Sequence, residues 1–122
     1  MNILHITSRQ AWVDATRIGY YTAPSLKTDG FIHCSTSSQA VAVANKFYLG
    51  QTGLVLLVID PARLIAELNW EPPADGGPPP GVRAGDKFPH IYGAINLEAV
   101  VQVLDFEADS NGNFSLPPPL NA

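Results

Sequence analysis

The chain has 122 residues, of which 46% are hydrophobic, and its 7 basic and 11 acidic side chains give a formal net charge of −4. This length and composition fit one globular domain, and no apolar stretch reaches the roughly 18 residues that cross a bilayer. The basic residues are scattered along the sequence, so the chain offers no patch for nucleic acid or for an anionic membrane.

A strand followed by a helix is predicted near the N-terminus. Residues Ile3 to Thr7 alternate in polarity, which is typical of a strand with two different faces. Ser8, or the threonine before it, can cap a helix that runs from Arg9 to Arg17. We place Trp12 and Ile18 on the inner face of this helix.

The next predicted elements are a loop over residues 20–24, a strand, a second helix and a third strand. Phe31 to Cys34 is an apolar segment after a turn signal, which predicts a strand. Thr36 and Gln39 have the spacing of a capping box and therefore mark the start of a helix. Leu54 to Ile59 is a continuous apolar run, which indicates a central strand buried on both faces.

The second half of the chain contains three more predicted strands and one long loop. The strands cover Glu67 to Glu71, Phe88 to Tyr92 and Val100 to Glu107. The loop from Pro72 to Lys87 is dense in proline and glycine, and a loop of this length in a small domain is usually functional. Five or six short strands with two main helices predict an α+β fold.

One domain accounts for most of the chain. We assign residues 1–108 to a single compact α+β domain and residues 109–122 to a polar, proline-rich tail, in which we expect Phe114 to be exposed. Cys34 is the only cysteine, and we interpret it as a small buried core residue. The N-terminus lacks a signal-peptide pattern, from which we expect a cytoplasmic protein.

The histidines indicate a polar pocket set into the core. His33 and His90 each lie in an apolar, strand-like stretch near a glycine, and a buried imidazole costs free energy unless its nitrogens find partners. The two-residue period of a strand puts His33 with Ser35 on one face, and His5 with Thr7 on one face of the first strand. If these two strands are neighbours, their polar side chains line one cleft.

Two further candidates lie in the second half of the chain. His90 and Tyr92 share a face of their strand, and Glu71 ends the preceding strand where the long loop begins. A carboxylate there can lie at the mouth of a cleft. Each candidate also has a structural interpretation, as a satisfied core histidine or a solvated strand end. The ligand spacing of a zinc site and the glycine-rich phosphate loops are absent, so we predict no metal.

The motifs resemble those of one family. The sequence is similar, over about residues 2 to 106, to the small bacterial proteins grouped as domain of unknown function 952. The resemblance rests on these blocks, in this order: Leu4-His5-Ile6-Thr7, Gly30-Phe31-Ile32-His33-Cys34-Ser35, Trp70-Glu71 and Phe88-Pro89-His90-Ile91-Tyr92-Gly93.

That family is in turn similar to the ADP-ribosyltransferase-like fold, which implies a split, curved, mixed sheet around a nicotinamide dinucleotide cleft. The resemblance implies NAD as a substrate, in ADP-ribosyl transfer or NAD glycohydrolysis, with His5, His33 and Glu71 as the catalytic residues. The side chains that we predict to bind the ligand are Thr7, Ser35, His90 and Tyr92.

Two other functions stay open from the sequence. The same cleft can serve a ligand-binding domain without catalysis. Alternatively, the protein is an interaction module that docks through the proline-rich loop or through the segment from Leu116 to Leu120. We expect a small-molecule ligand and neither nucleic acid nor a membrane as a partner, and the sequence does not predict an oligomeric state.

Overall fold

Eight strands and three α-helices are formed by the residues that this computed structural model describes, 1–73, 79–83 and 85–120. The strands are β1 (Ile3–Ser8), β2 (Tyr20–Tyr21), β3 (Ile32–His33), β4 (Leu54–Ile59), β5 (Glu67–Glu71), β6 (Phe88–Tyr92), β7 (Ile95–Asn96) and β8 (Val100–Phe106). The helices are α1 (Arg9–Ile18), α2 (Pro24–Thr28) and α3 (Ser37–Phe47), with short 3₁₀ turns at Pro61–Arg63, Leu97–Ala99 and Pro118–Leu120. The predicted α+β class is confirmed.

The strands form three small sheets, in the orders β1-β4-β8, β3-β6-β5 and β2-β7. Every pairing between these strands is antiparallel, so the predicted mixed sheet is wrong. A parallel pair needs a crossover that returns the chain to the same end of the sheet, and no two paired strands here are connected in that way. The strand count exceeds our prediction because β2 and β7 have two residues each, too few to show a period.

A single bridge joins the two larger sheets within the described part of the chain. Leu4 of β1 and Ser35 exchange two backbone hydrogen bonds of 2.8 Å. Beyond this bridge the edge of β1 that faces away from β4 has no strand neighbour among the described residues. The two sheets therefore part from one another at Leu4, and a cleft opens between them.

The core lies on both faces of the β1-β4-β8 sheet. All six residues of β4 are buried, as predicted for a central strand. Ala15 of α1 packs on one face and Ala40 of α3 on the other. Ile18 is 63% exposed, so its predicted place on the inner face of α1 is wrong. It occupies the last turn, and Gly19 ends the helix there with a φ of 107°.

The helix starts follow the sequence signals. Ser8 Oγ accepts a hydrogen bond from the backbone N–H of Ala11, which caps α1. Thr36 and Gln39 form the predicted capping box at the start of α3. Gln39 also donates from Nε2 to the carbonyl of Lys87 at 2.8 Å. This amide thus fixes the N-terminus of α3 against the segment that leads into β6.

The C-terminal segment packs against the domain. Phe114 is 4% exposed and its ring lies 4.9 Å from that of Phe106, so the predicted exposure of Phe114 is wrong. The backbone N–H of Phe114 donates to Asn45 Oδ1 at 2.9 Å. Packing of the Phe114 ring on the core is favourable because it removes the apolar surface of the ring from water.

Parts of two predicted segments lie outside the described residues. They are residues 74–78 and 84 of the predicted loop, and residues 121–122 of the predicted tail. Among the residues that are described, no helix is long and apolar enough to cross a membrane.

Candidate functional site

A cavity of about 550 Å³ opens where the two larger sheets part. The edge of β1 forms one wall, and the segment from His33 to Ser35 forms another. Phe88 and His90 of β6 also line the cavity, as does Tyr48, which follows α3. Cavities of this size are in the range of small-molecule sites, roughly 300 to 1,000 Å³.

His5 lies at the wall of this cavity with both ring nitrogens engaged. Its Nδ1 is 2.6 Å from the backbone carbonyl oxygen of His33, and its Nε2 is 2.8 Å from the hydroxyl of Tyr21. That hydroxyl is also 2.9 Å from Thr7 Oγ1. Burial lowers the pKa of His5 to about 4 and raises the pKa of Tyr21 to about 12. His5 is therefore neutral at pH 7 and Tyr21 keeps its proton.

His90 has one nitrogen engaged and one open. Its Nδ1 donates to Glu71 Oε1 at 2.7 Å, and Tyr92 donates to the same oxygen at 2.6 Å. No residue that the structure describes bonds His90 Nε2, although the residue is only 2% exposed and its ring lines the cavity. Every fully buried side-chain nitrogen or oxygen among the described residues has a hydrogen-bond partner. Nε2 has none, so this atom is not fully buried and is open to solvent in the cavity.

The electrostatics of this pair follow from its contacts. The hydrogen bonds from Tyr92 and then from His90 hold the pKa of Glu71 below its ordinary value, so it is a carboxylate. Burial lowers the pKa of His90, and this effect outweighs the opposing effect of Glu71. The hydrogen bond to Glu71 raises the pKa of Tyr92. At neutral pH the pair is a carboxylate beside a neutral imidazole whose proton is on Nδ1.

His33 faces His90 across the β3–β6 pair. The two are register partners, and their ring centroids are 5.6 Å apart. Asp29 Oδ2 lies 2.8 Å from His33 Nε2. The ring of Phe31 stacks on that of His90, at 4.0 Å between centroids and an angle of 20°. The stacking fixes the plane of His90, while Glu71 fixes its rotation.

Five of the predicted site residues line the cavity, and two do not. The five are His5, Thr7, His33, Ser35 and His90. Glu71 and Tyr92 reach the site through their hydrogen bonds with His90. Sequence reasoning missed Tyr21 and Asp29. Tyr21 fell in a predicted loop because a two-residue strand has no period, and the four-residue spacing of Asp29 and His33 carries no distinctive signal.

Ser35 is the clearest polar group without a protein partner in the cavity. It is 5% exposed, and no described residue bonds its hydroxyl. A nearly buried hydroxyl that meets only the cavity satisfies its hydrogen bonds with water or with a ligand.

Positive charge is scarce around the cavity. No lysine or arginine is among its described lining residues. Arg9 pairs with Asp105, and Arg83 lies 3.8 Å from Asp86. Within the part of the chain that the structure describes, no three histidine, cysteine or acidic side chains are grouped to hold a metal ion.

Comparisons with known proteins identify relatives without an assigned activity. Residues 6–103 match the family described as "Protein of unknown function (DUF952)". The crystal structure of protein CC0527 from Caulobacter crescentus is 31% identical, with a TM-score of 0.83 and 100% of both chains covered. A double mutant of CC0527 gives 30% identity and the same TM-score and coverage. The solution NMR structure of CC0527 gives 31% identity and a TM-score of 0.67 over 92% of this chain and 90% of that chain. A comparison with curated proteins found no match.

Proposed function

The chain belongs to the DUF952 family of proteins of unknown function, as its motifs predicted, and from its site we propose that it binds a small molecule in the cavity, with His90 as proton acceptor. The observation on which the proposal rests is that all three histidines of the chain meet at one cavity of about 550 Å³. In a chain of this length, such convergence of rare side chains is typical of a functional pocket.

The Glu71–His90 pair has the chemistry of a general base. Glu71 holds the proton of His90 on Nδ1, which leaves the Nε2 lone pair towards the cavity. The lowered pKa keeps His90 in the form that can accept a proton at neutral pH. An imidazole oriented by a carboxylate in this way serves to take a proton from a hydroxyl or a water.

The cavity walls favour a ligand that combines a flat ring with a carboxamide. Phe88 and Tyr48 supply apolar and aromatic surface. Because the Leu4 backbone bonds outward to Ser35, the alternation of an antiparallel ladder turns the N–H and C=O of Ile6 away from β4 as well. Ile6 lines the cavity, so its backbone N–H donor and C=O acceptor lie side by side at the cavity wall. A carboxamide, which has one acceptor oxygen and a donor NH₂, can bond both groups.

Nicotinamide, free or as the end of NAD or of its riboside, is the ligand class that we propose first. The ring and carboxamide suit the wall, whereas the diphosphate of NAD or ADP-ribose finds no lysine or arginine among the described lining residues. In NAD glycohydrolysis or ADP-ribosyl transfer, the glycosidic bond breaks and its electron pair leaves with nicotinamide. A water or acceptor oxygen bonds the ribose carbon, and its proton passes to His90 Nε2. The ADP-ribosyltransferase likeness of the fold stays a prediction.

An NMR titration of isotopically labelled protein tests the proposal. Nicotinamide riboside, NAD and ADP-ribose are added in turn while the imidazole signals are followed. We expect saturable shifts at His90 and His33 with nicotinamide riboside and weaker binding of ADP-ribose. The variant His90→Gln should weaken or abolish turnover, whereas Glu98→Gln, an exposed carboxylate elsewhere, should behave as wild type.

The outcomes separate an enzyme from a binding domain. Release of nicotinamide from NAD or its riboside that His90→Gln abolishes supports catalysis. Ligand recovered unaltered after long incubation, with the shifts retained, supports binding alone. The absence of any shift at millimolar ligand contradicts the nicotinamide proposal.

A further inference from the structure

We infer that Thr7, rather than His5, is the side chain on β1 that selects the ligand, beside the backbone of Ile6, and that hydrogen bonds through Tyr21 and His5 make the Thr7 hydroxyl an acceptor. This inference deepens the proposed function and rests on it. It assigns to the cavity a preference for ligands that present a hydrogen-bond donor at Thr7.

The His33 carbonyl determines which atoms donate in this chain of hydrogen bonds. A carbonyl oxygen has only lone pairs, so the contact of 2.6 Å requires that His5 Nδ1 carry a hydrogen. His5 is 6% exposed, and its burial disfavours a second ring proton at neutral pH. His5 Nε2 therefore presents a lone pair, and the hydroxyl at 2.8 Å, that of Tyr21, must donate to it.

The donor in the contact between Tyr21 and Thr7 follows from the same reasoning. Tyr21 has one hydroxyl proton, and His5 accepts it. The Tyr21 hydroxyl is also oriented to donate to Thr7 Oγ1 at 2.9 Å, but its one proton is already committed to His5, so in this contact Thr7 must be the donor. The remaining lone pairs of Thr7 Oγ1 are what this side chain offers to the cavity, which it lines with 9% of its surface exposed.

The same chain of contacts removes His5 from direct ligand contact. Both of its nitrogens are satisfied within the protein, so a ligand that bonded His5 would first have to displace Tyr21 or the His33 carbonyl. His5 and Tyr21 are positioning residues: they fix which way the Thr7 proton points. A ligand group without a donor would leave Thr7 Oγ1 and its own acceptor facing one another.

Two ligands that differ in one group test the specificity. Nicotinamide has an amide NH₂ where 3-acetylpyridine has a methyl group, and both keep the ring and the carbonyl. We expect wild type to bind nicotinamide about tenfold more tightly or better, the effect of roughly one hydrogen bond. In Tyr21→Phe the Thr7 hydroxyl is free to turn and donate, so this preference should shrink about threefold or more.

Matched variants keep the test informative. Tyr20→Phe changes the neighbouring tyrosine, which lies outside this cavity, and should keep the wild-type preference. Thr7→Ser should retain it and Thr7→Val should reduce it, which decides the point even if Tyr21→Phe does not fold. An unchanged preference in Thr7→Val overturns the inference.

The tautomer of His5 is read without any ligand. Nitrogen chemical shifts of the labelled imidazole at pH 7 should show Nδ1 protonated and Nε2 unprotonated. A proton on Nε2 would overturn the inference. If neither ligand binds, the proposed function fails and the ligand preference fails with it, whereas a tautomer as expected shows that the fault lies in the ligand class and not in the hydrogen-bond chain.

Discussion

His5 and His90 are both nearly excluded from solvent, but their ring nitrogens have different partners. His5 bonds protein groups at both nitrogens, whereas His90 bonds Glu71 at Nδ1 and meets the cavity at Nε2. A buried histidine with two protein partners stabilises a fixed geometry, and one with a single partner is free to react. Under the proposed function, His5 therefore positions other groups and His90 accepts the proton.

Removal of the Glu71 charge should lower the pKa of His90. The carboxylate raises that pKa by its hydrogen bond and by its charge, against the larger effect of burial. In Glu71→Gln the amide oxygen can still accept the Nδ1 hydrogen, but the charge is gone. An NMR pH titration of His90 should therefore show a midpoint below that of wild type.

The matched control is Glu67→Gln. Glu67 is on the same strand and accepts a hydrogen bond from Asn69 Nδ2 at 2.7 Å, whereas the described hydrogen bond of His90 is with Glu71. It should leave the His90 midpoint close to wild type. An unchanged midpoint in Glu71→Gln would mean that Glu71 does not hold His90 in solution.

The sequence indicated these residues but not their pairing. Glu71 was recognisable as a strand end, and His90 and Tyr92 as one face of a strand. Their meeting depends on the β5–β6 register, in which Glu71 lies opposite Phe88, and the long connection between these strands is rich in proline and glycine without specifying that register. The interpretation of Glu71 as a partner of His5 and His33 came from the family resemblance, whereas its contacts are with His90 and Tyr92.

At the scale of elements, Gln39 joins a helix start to the entrance of β6. Gln39→Ala removes half of the capping box and the bond to the Lys87 carbonyl. We expect a loss of about 2 kcal/mol in the free energy of unfolding, measured by urea denaturation. Gln10→Ala, on the exposed face of α1, should change it by less than about 0.5 kcal/mol. Equal effects of the two variants would contradict the role of Gln39.

The elements that were predicted well have local signals. The capping box of Thr36 and Gln39 lies within four residues, and the apolar run of β4 needs no partner to be recognised. β2 was missed because its two residues are held by pairing with β7, about 75 positions later in the chain. A strand can be recognised from the sequence alone only where it is long enough to show a periodic pattern of polar and apolar residues.

At the scale of the whole molecule, the segment after β8 belongs to the core in spite of its polar composition. Phe114→Ala removes a ring that is 4% exposed and packs on Phe106. We expect a loss of about 3 to 5 kcal/mol in the free energy of unfolding. Leu49→Ala, at a side chain that is 59% exposed, should cost less than about 0.5 kcal/mol. A similar small cost for Phe114→Ala would show that the segment does not pack there in solution.

The stability of the whole domain should fall as the pH is lowered from about 7 to 4.5, through the buried imidazole of His5. Burial lowers its pKa from 6.5 to about 4, so between these values the unfolded chain binds a proton that the folded chain does not. Protonation therefore favours unfolding, and stability is complete above the unfolded pKa and lost as pH falls towards the folded one. At about 1.4 kcal/mol per pKa unit, this one group contributes roughly 3 kcal/mol over the interval.

The comparison of wild type with His5→Gln isolates that contribution. Glutamine does not titrate, so the variant should start less stable at pH 7 and lose less on acidification. Urea denaturation at pH 7 and at pH 4.5 gives the two losses, and their difference should be about 3 kcal/mol. Equal losses would place the acid sensitivity in other groups, of which His90 is the first candidate because burial lowers its pKa in the same direction. The two histidines then differ in one observable respect, since ligand binding should alter the titration of His90 and leave that of His5 unchanged.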